Sequence, residues 1–161
     1  MHSPIPQDVV ASVARFAWDD AYELGHDEMD GTHREFVTCV DAMLQAADGD
    51  LACALDSFAA HARRHFAEED RWMAQTAYGN AGCHVDEHAA VLRSLDEVSA
   101  ALALGRHDVV RSFALALADW FPEHARVMDQ GLARWLAERR LGGTPVVIRR
   151  NKAAQTAGAN S

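Results

Sequence analysis

The residues best suited to chemistry lie between positions 65 and 88. They read His65-Phe66-Ala67-Glu68-Glu69 and, after a helix end and loop, His84-Val85-Asp86-Glu87-His88. Each run carries two metal-ligand types four residues apart. On an α-helix the i and i+4 side chains lie on one face, one turn apart, so they converge on a common point. Two such pairs facing inward on neighbouring helices make most of a metal cage. Four helices are needed to complete it.

The helical pattern supplies them. Pro4 and Pro6 argue against an early helix, Trp18, Tyr22 and Leu24 read as anchors of an arm lying on a bundle, and Gly25 suggests a turn. Asp30 is a plausible N-cap for a first helix reaching Ala47, in which His33, Phe36, Val37, Val40 and Leu44 form one apolar stripe. Asp48-Gly49-Asp50 breaks it. A second helix is expected from about Leu51 to Gln75, with Leu55, Phe58, Ala62, His65, Phe66, Glu69, Trp72 and Met73 on one face. A carboxylate such as Glu69 rarely faces a core unless it is paired or binds a metal. Tyr78 to Gly82 reads as a loop. A third helix follows from about Gly82 to Leu104, aligning His84, His88, Val91, Leu92, Leu95 and Val98, and Gly105 closes it.

The fourth helix starts near His107-Asp108 and aligns Phe113, Leu117, Trp120 and His124. Pro122 should remove a backbone hydrogen bond and kink it. Gly131 marks a second expected break, and Leu132, Trp135 and Leu136 suggest a short final helix before Gly142-Gly143. The isolated Pro145-Val146-Val147-Ile148 run is too little for a sheet. The fold class is therefore all-α, an up-and-down four-helix bundle with an N-terminal arm and a short C-terminal helix. The bundle occupies residues 1–140, and 141–161 reads as a flexible basic tail.

The bulk properties fit one domain of 161 residues with a net charge of −9. Arg139, Arg140, Arg149, Arg150 and Lys152 sit in a stretch without acidic residues. Removing those 5 from the 15 basic residues leaves 10 against 24 acidic ones, so residues 1–138 carry −14. That balance excludes nucleic acid and anionic membranes as partners of the body and leaves the tail as a solvated end or an arm for a protein partner. Cys39, Cys53 and Cys83 are odd in number and form no C-x-x-C pair, which points to a reducing compartment. Cys83 precedes a ligand type, but neighbouring helical positions point apart, so it reads as a small packing residue. With no signal-like N-terminus and no apolar run near the about 18 residues of a membrane helix, the expected location is the cytoplasm.

Each helix now puts a ligand type on its apolar face: His33; His65 and Glu69; His84 and His88; His124. Asp129 follows His124 by five positions, a rotation of roughly 140° on a straight helix. It joins the others only if the fourth helix ends or distorts between them. Five imidazoles and two carboxylates are too many for one tetrahedral zinc. They suit two ions bridged by the carboxylates, with iron favoured over manganese or cobalt. Ferritin-like di-iron sites hold more carboxylate; a nitrogen-rich set biases the site towards reversible dioxygen binding over strong oxidation. A lone inward histidine is usually a satisfied core residue, and His2, His26 and His107, at expected ends or turns, are read as structural or surface groups. His61, one turn before His65, is expected beside the site or at the surface.

Trp18…Gly25…Met29-Asp30-Gly31-Thr32-His33, His65-Phe66-x-x-Glu69, His84-x-x-x-His88 and Trp120-x-x-x-His124-x-x-x-x-Asp129 together resemble the bacterial hemerythrins. The resemblance runs from about Trp18 to Asp129. It implies a left-handed four-helix bundle around a non-haem di-iron site with an Fe–O–Fe, oxo- or hydroxo-bridged core. His84, His88 and His124 would hold one iron and His33 and His65 the other, with Glu69 and Asp129 bridging. Dioxygen would bind at an open position on the second iron. Phe36, Val37, Phe66 and Trp120 are the expected wall of the oxygen pocket. Departures from the pattern are Thr32, where glutamine is usual, and His61, where an aromatic ring is common. His26 replaces an aliphatic residue, and Pro122 is unusual. The function expected is reversible dioxygen binding for storage, delivery or sensing and not an enzymatic one. The alternatives are a di-iron enzyme acting on oxygen, peroxide or nitric oxide, and a module signalling through its tail.

Overall fold

The computed structural model describes residues 13–140, and the chain they form is all-helical. Helix α1 spans Asp27–Gln45, α2 Leu51–Gln75, α3 Ala81–Ala103 and α4 His107–His124; a π-helical turn, Ala125–Asp129, leads directly into α5, Gln130–Arg140. Short 3-10 turns cover Asp20–Tyr22 and Asp48–Asp50. Each of the first four helices packs on its sequence neighbours and α4 closes on α1, the cycle of an up-and-down four-helix bundle. Among the described residues no helix is long and apolar enough to cross a membrane. His2, Pro4, Pro6, the Gly142-Gly143 stop, the Pro145–Ile148 run and the basic stretch 141–161 with Arg149, Arg150 and Lys152 lie outside the described residues.

The expected stripes face the core. Phe36, Val40, Leu55, Phe58, Leu95 and Phe121 are buried together in one cluster that fills the bundle interior. The arm is anchored as its aromatic residues suggest. The rings of Phe16 and Tyr22 meet Phe121 edge-on at 6.1 and 5.3 Å between centroids. Leu24 instead joins a smaller cluster with Met29, Met73 and Leu132. That cluster ties α5 to the start of α1 and the end of α2.

Three local expectations need correction. Helix α1 begins at Asp27, not after Asp30, because His26 is its N-cap and accepts from the Met29 N–H at 3.3 Å. Asp30 is buried and turns back on the arm, where it accepts from the Leu24 and Gly25 N–H groups at 2.8 and 3.0 Å. Gly25, at φ +78°, supplies the left-handed residue this turn requires. Second, Gly131 does not break a helix. Leu132 and Ala133 are buried against Met29 and Met73, which holds α5 in place. Glycine is needed at 131 because a Cβ there would lie 2.8 Å from the Tyr78 hydroxyl. Pro122 lies within α4, and the distortion expected between His124 and Asp129 is the π turn at Ala125–Asp129. Third, Cys83 is exposed; it stands beside the inward His84 on α3 and so faces out. All three cysteines are free thiols.

The Asp30 carboxylate is the one side chain that accepts from both backbone donors of the Leu24-Gly25 turn. Asp30→Ala should cost about 2 kcal/mol, seen as a drop of several degrees in the melting temperature of the metal-free protein. Asp30→Asn should recover part of the loss. An unchanged melting temperature for Asp30→Ala would remove Asp30 from the account of how the arm is fixed.

Candidate metal centre

All seven sequence-selected residues meet at one level of the bundle. Among the described residues nine polar or charged side chains are buried, and seven of them are His33, His65, Glu69, His84, His88, His124 and Asp129; the other two are Asp30 and His61. His33 comes from α1, His65 and Glu69 from α2, His84 and His88 from α3, and His124 from the last residue of α4. Asp129 closes the π turn, in which the Gln130 N–H bonds the Ala125 carbonyl five residues back. An i→i+5 turn does for residues five apart what an α-turn does for residues four apart. The π turn is the distortion that Asp129 requires.

The two carboxylates lie between two groups of imidazoles. Glu69 Oε1 is 2.9 Å from His65 Nε2 and 3.5 Å from His33 Nε2. Its other oxygen, Oε2, is 3.4 Å from His84 Nε2 and 3.3 Å from His88 Nε2. Asp129 divides in the same sense, with Oδ2 at 3.1 Å from His33 Nε2 and Oδ1 at 2.9 and 3.2 Å from His84 and His124 Nε2. Two metal-sized groupings result, His33-His65-Glu69 and Glu69-His84-His88-His124-Asp129.

Of these contacts only the one between His65 Nε2 and Glu69 Oε1 has hydrogen-bond geometry. The Nε2 atoms of His33, His84, His88 and His124, Oε2 of Glu69 and both oxygens of Asp129 are buried with no hydrogen-bond partner. Leaving one buried polar group unsatisfied costs about 1–3 kcal/mol, so an interior does not gather seven such atoms for packing alone. The arrangement fits metal ions.

The electrostatics carry the same message. Burial would discharge His33, but Asp129 and Glu69 overcome it and raise its pKa to about 10. The same balance raises His84 to about 9. His124 is also raised, against burial, by Asp129 and Glu87. Burial would push Glu69 up, yet His65 and the imidazoles of His33 and His84 hold it well below the usual carboxylate range. Asp129 is depressed too, by His124 and His33, in spite of its burial and the neighbouring Glu69. Without metal, protons hold the cluster together, and metal binding must displace them.

A second layer fixes the imidazoles. His88 Nδ1 is 2.8 Å from Asp70 Oδ1, and His124 Nδ1 is 2.6 Å from Glu87 Oε2. An ionised carboxylate only accepts, so these contacts put the hydrogen on Nδ1 and leave Nε2 to face the centre. Glu87 also accepts from Trp120 Nε1 at 3.2 Å. Asp70 and Glu87 were not selected from the sequence; their one signal there is an acid beside a ligand type, which most helices offer by chance.

Three of the expected pocket residues lie against the imidazoles. Phe66 stacks on His88 at 4.1 Å and Trp120 on His124 at 4.2 Å, and Phe36 meets His65 edge-on at 6.2 Å. Val37 is buried in the same core. Trp120 is only half-buried; the fully buried ring of that turn is Phe121, which meets His33 edge-on at 5.3 Å and stacks on Phe36 at 4.8 Å. Its place on the Leu117–Phe121–His124 stripe was the available signal. His61 is buried beside His65, at 5.3 Å between rings, with Nδ1 3.3 Å from Glu35. Burial and the neighbouring His65 lower its pKa to about 4. His26 and His107 lie at helix starts, away from the cluster.

Comparison with known proteins agrees with this geometry. The family model for the hemerythrin HHE cation binding domain matches residues 24–136. The chain belongs to the hemerythrin family. It is 38% identical over 122 residues to a bacteriohemerythrin of Ralstonia nicotianae, covering 76% of this chain and 89% of the relative. A myohemerythrin of Riftia pachyptila is 27% identical over 115 residues, 71% of this chain and 88% of that protein. A bacteriohemerythrin of Stenotrophomonas maltophilia is 24% identical over 128 residues, 75% and 81% respectively. No solved structure matches at a comparable level.

The raised imidazoles set the pH behaviour of the metal-free protein. A group with a raised folded pKa stabilises in full below its unfolded pKa, near 6.5 for histidine, and loses that contribution as pH rises through the folded value. With His33 at about 10 and His84 at about 9, stability should fall steadily from neutral pH to pH 10. Glu69 and Asp129, both depressed, act in the opposite sense and matter only in acid, below pH about 4. Urea unfolding at a series of pH values reads this directly. A flat profile between pH 7 and 10 would contradict the pairing.

Proposed function

We propose that the chain binds dioxygen reversibly at a non-haem di-iron centre, for storage, delivery or sensing. His84, His88 and His124 would hold one iron and His33 and His65 the other, and Glu69 and Asp129 would be shared between the two. The observation that carries the proposal is the division of the carboxylate oxygens: Glu69 offers one oxygen to each imidazole group and so does Asp129. Counting donors, one half-site has three nitrogens and two oxygens, the other two nitrogens and two oxygens. The half-site of His33 and His65 is short by one donor, and that is where an exogenous ligand would bind.

When bound, the iron pair supplies the two electrons that dioxygen takes up and returns. The chain's own residues do the rest. Asp70 and Glu87 orient His88 and His124. Phe36, Phe66 and Phe121, each 1% exposed or less, enclose the His33 and His65 side in apolar surface that excludes water and anions. The high share of imidazole leaves the pair less strongly oxidising than a carboxylate-rich site. The relatives named bacteriohemerythrin and myohemerythrin support a binding protein over an enzyme. Three free thiols support a reducing compartment such as the cytoplasm, and the basic stretch 141–161 is the segment offered to a protein partner if the role is sensing.

Loaded with ferrous iron without air, the protein should bind two irons per chain and show almost no visible colour. Air should bring intense visible charge-transfer bands, and argon should remove them. A fully loaded sample without those bands would defeat the proposal. Steady consumption of dioxygen, peroxide or nitric oxide with a reductant would replace it with a di-iron enzyme.

A further inference from the structure

The three imidazoles of the nitrogen-rich half-site are not held equally. His88 is fixed outside by Asp70 and stacked on Phe66, and His124 is fixed by Glu87 and stacked on Trp120. His84 is as deeply buried, 1% exposed, but its Nδ1 has no partner. It also lines an open cleft. That cleft, of about 440 Å³, lies between the α2–α3 loop and the π turn and is walled by Tyr78, Gly79, Cys83, Val127 and Met128. Two other clefts of similar size, one beside His26 and Arg134 and one beside Arg34 and His61, touch none of the seven.

We propose that this cleft is the passage through which iron enters and leaves the centre, with His84 as the ligand that swings out to open it. The inference rests on the di-iron reading above. Turning His84 outward breaks no hydrogen bond at Nδ1, whereas moving His88 or His124 breaks a contact to a carboxylate and separates two stacked rings. The walls differ in firmness. Tyr78 is pinned: its N–H bonds the Met73 carbonyl at 3.0 Å, its ring lies 5.8 Å from that of Trp135, and its hydroxyl lies against Gly131. The opposite wall is the π turn, where Val127 is 52% exposed and packs on little. A hydrated cation reaching the cleft meets the His84 ring, whose Nδ1 has no partner, with Glu69 and Asp129 on its Nε2 side.

Cys83, exposed on the cleft wall, gives a test that needs no refolding. Cys39→Ala and Cys53→Ala leave it as the single thiol of the three. The iron-loaded protein is then coupled at Cys83 to a bulky maleimide, and iron is withdrawn with a ferrous chelator. The expected result is removal slower by about tenfold, with iron content and optical spectrum unchanged before the chelator is added. A companion protein keeping only Cys53, about 18 Å along α2 from His65, should show no change on coupling. Val127→Ala, which widens the cleft, should speed removal. Equal rates with and without the Cys83 adduct would overturn the passage. A chain that takes up no iron would instead refute the di-iron reading, so the two failures are distinct.

Discussion

Two carboxylates buried among five imidazoles are the constraint on which the rest of the bundle depends. Glu69 and Asp129 sit where an unpaired charge could not survive, each 1% exposed or less. They are kept there by positive charge, supplied by protons on the imidazoles when metal is absent and by metal when it is present. Either way every helix must bring its polar groups to the same level. The stripe on α1 has to offer His33 and the stripe on α2 His65 and Glu69. The start of α3 and the end of α4 have to face them. Packing above and below, through Phe58, Leu95 and Val110 on one side and Met29, Met73 and Leu132 on the other, holds that level in register.

The sharing of oxygens also explains the π turn. A plain α-helix would carry Asp129 away from His124, and the wide turn restores it at the cost of less regular backbone bonding. The recovered helix, α5, is then secured by Leu132 and Ala133 and ends with Arg139 lying over the Trp135 ring at 4.7 Å. The outer carboxylates Asp70 and Glu87 complete the asymmetry. They orient two imidazoles of one half-site, while His84, which lines the cleft, has no such partner at Nδ1.

Much of this was legible in the sequence because it is written in fixed spacings. The pairs His65/Glu69 and His84/His88 show their common face through helical period alone, and α2 begins and ends where the pattern places it. The Asp129 problem was visible as an angle, and the need for a distortion followed, but its form did not. Pro122 and Gly131 flank the distorted turn, but Gly131 breaks no helix because the burial of Leu132 outweighs a glycine's local cost. Asp30 was misplaced for a similar reason: an acid at a helix start resembles a cap, and only the folded arm reveals that its partners are Leu24 and Gly25. Asp70 and Glu87 were hidden because exposed and half-buried acids look alike in sequence. The open side of His84 depends on a loop and a π turn meeting in space, which no local pattern records.

The most direct test is a crystal structure of the iron-loaded protein with anomalous diffraction recorded at the iron edge. The account predicts two iron peaks about 3.5–4 Å apart, one within bonding distance of His33 and His65 and the other of His84, His88 and His124. Glu69 and Asp129 should each send one oxygen to either peak. A single peak, or two peaks with each carboxylate bound wholly to one of them, would contradict it.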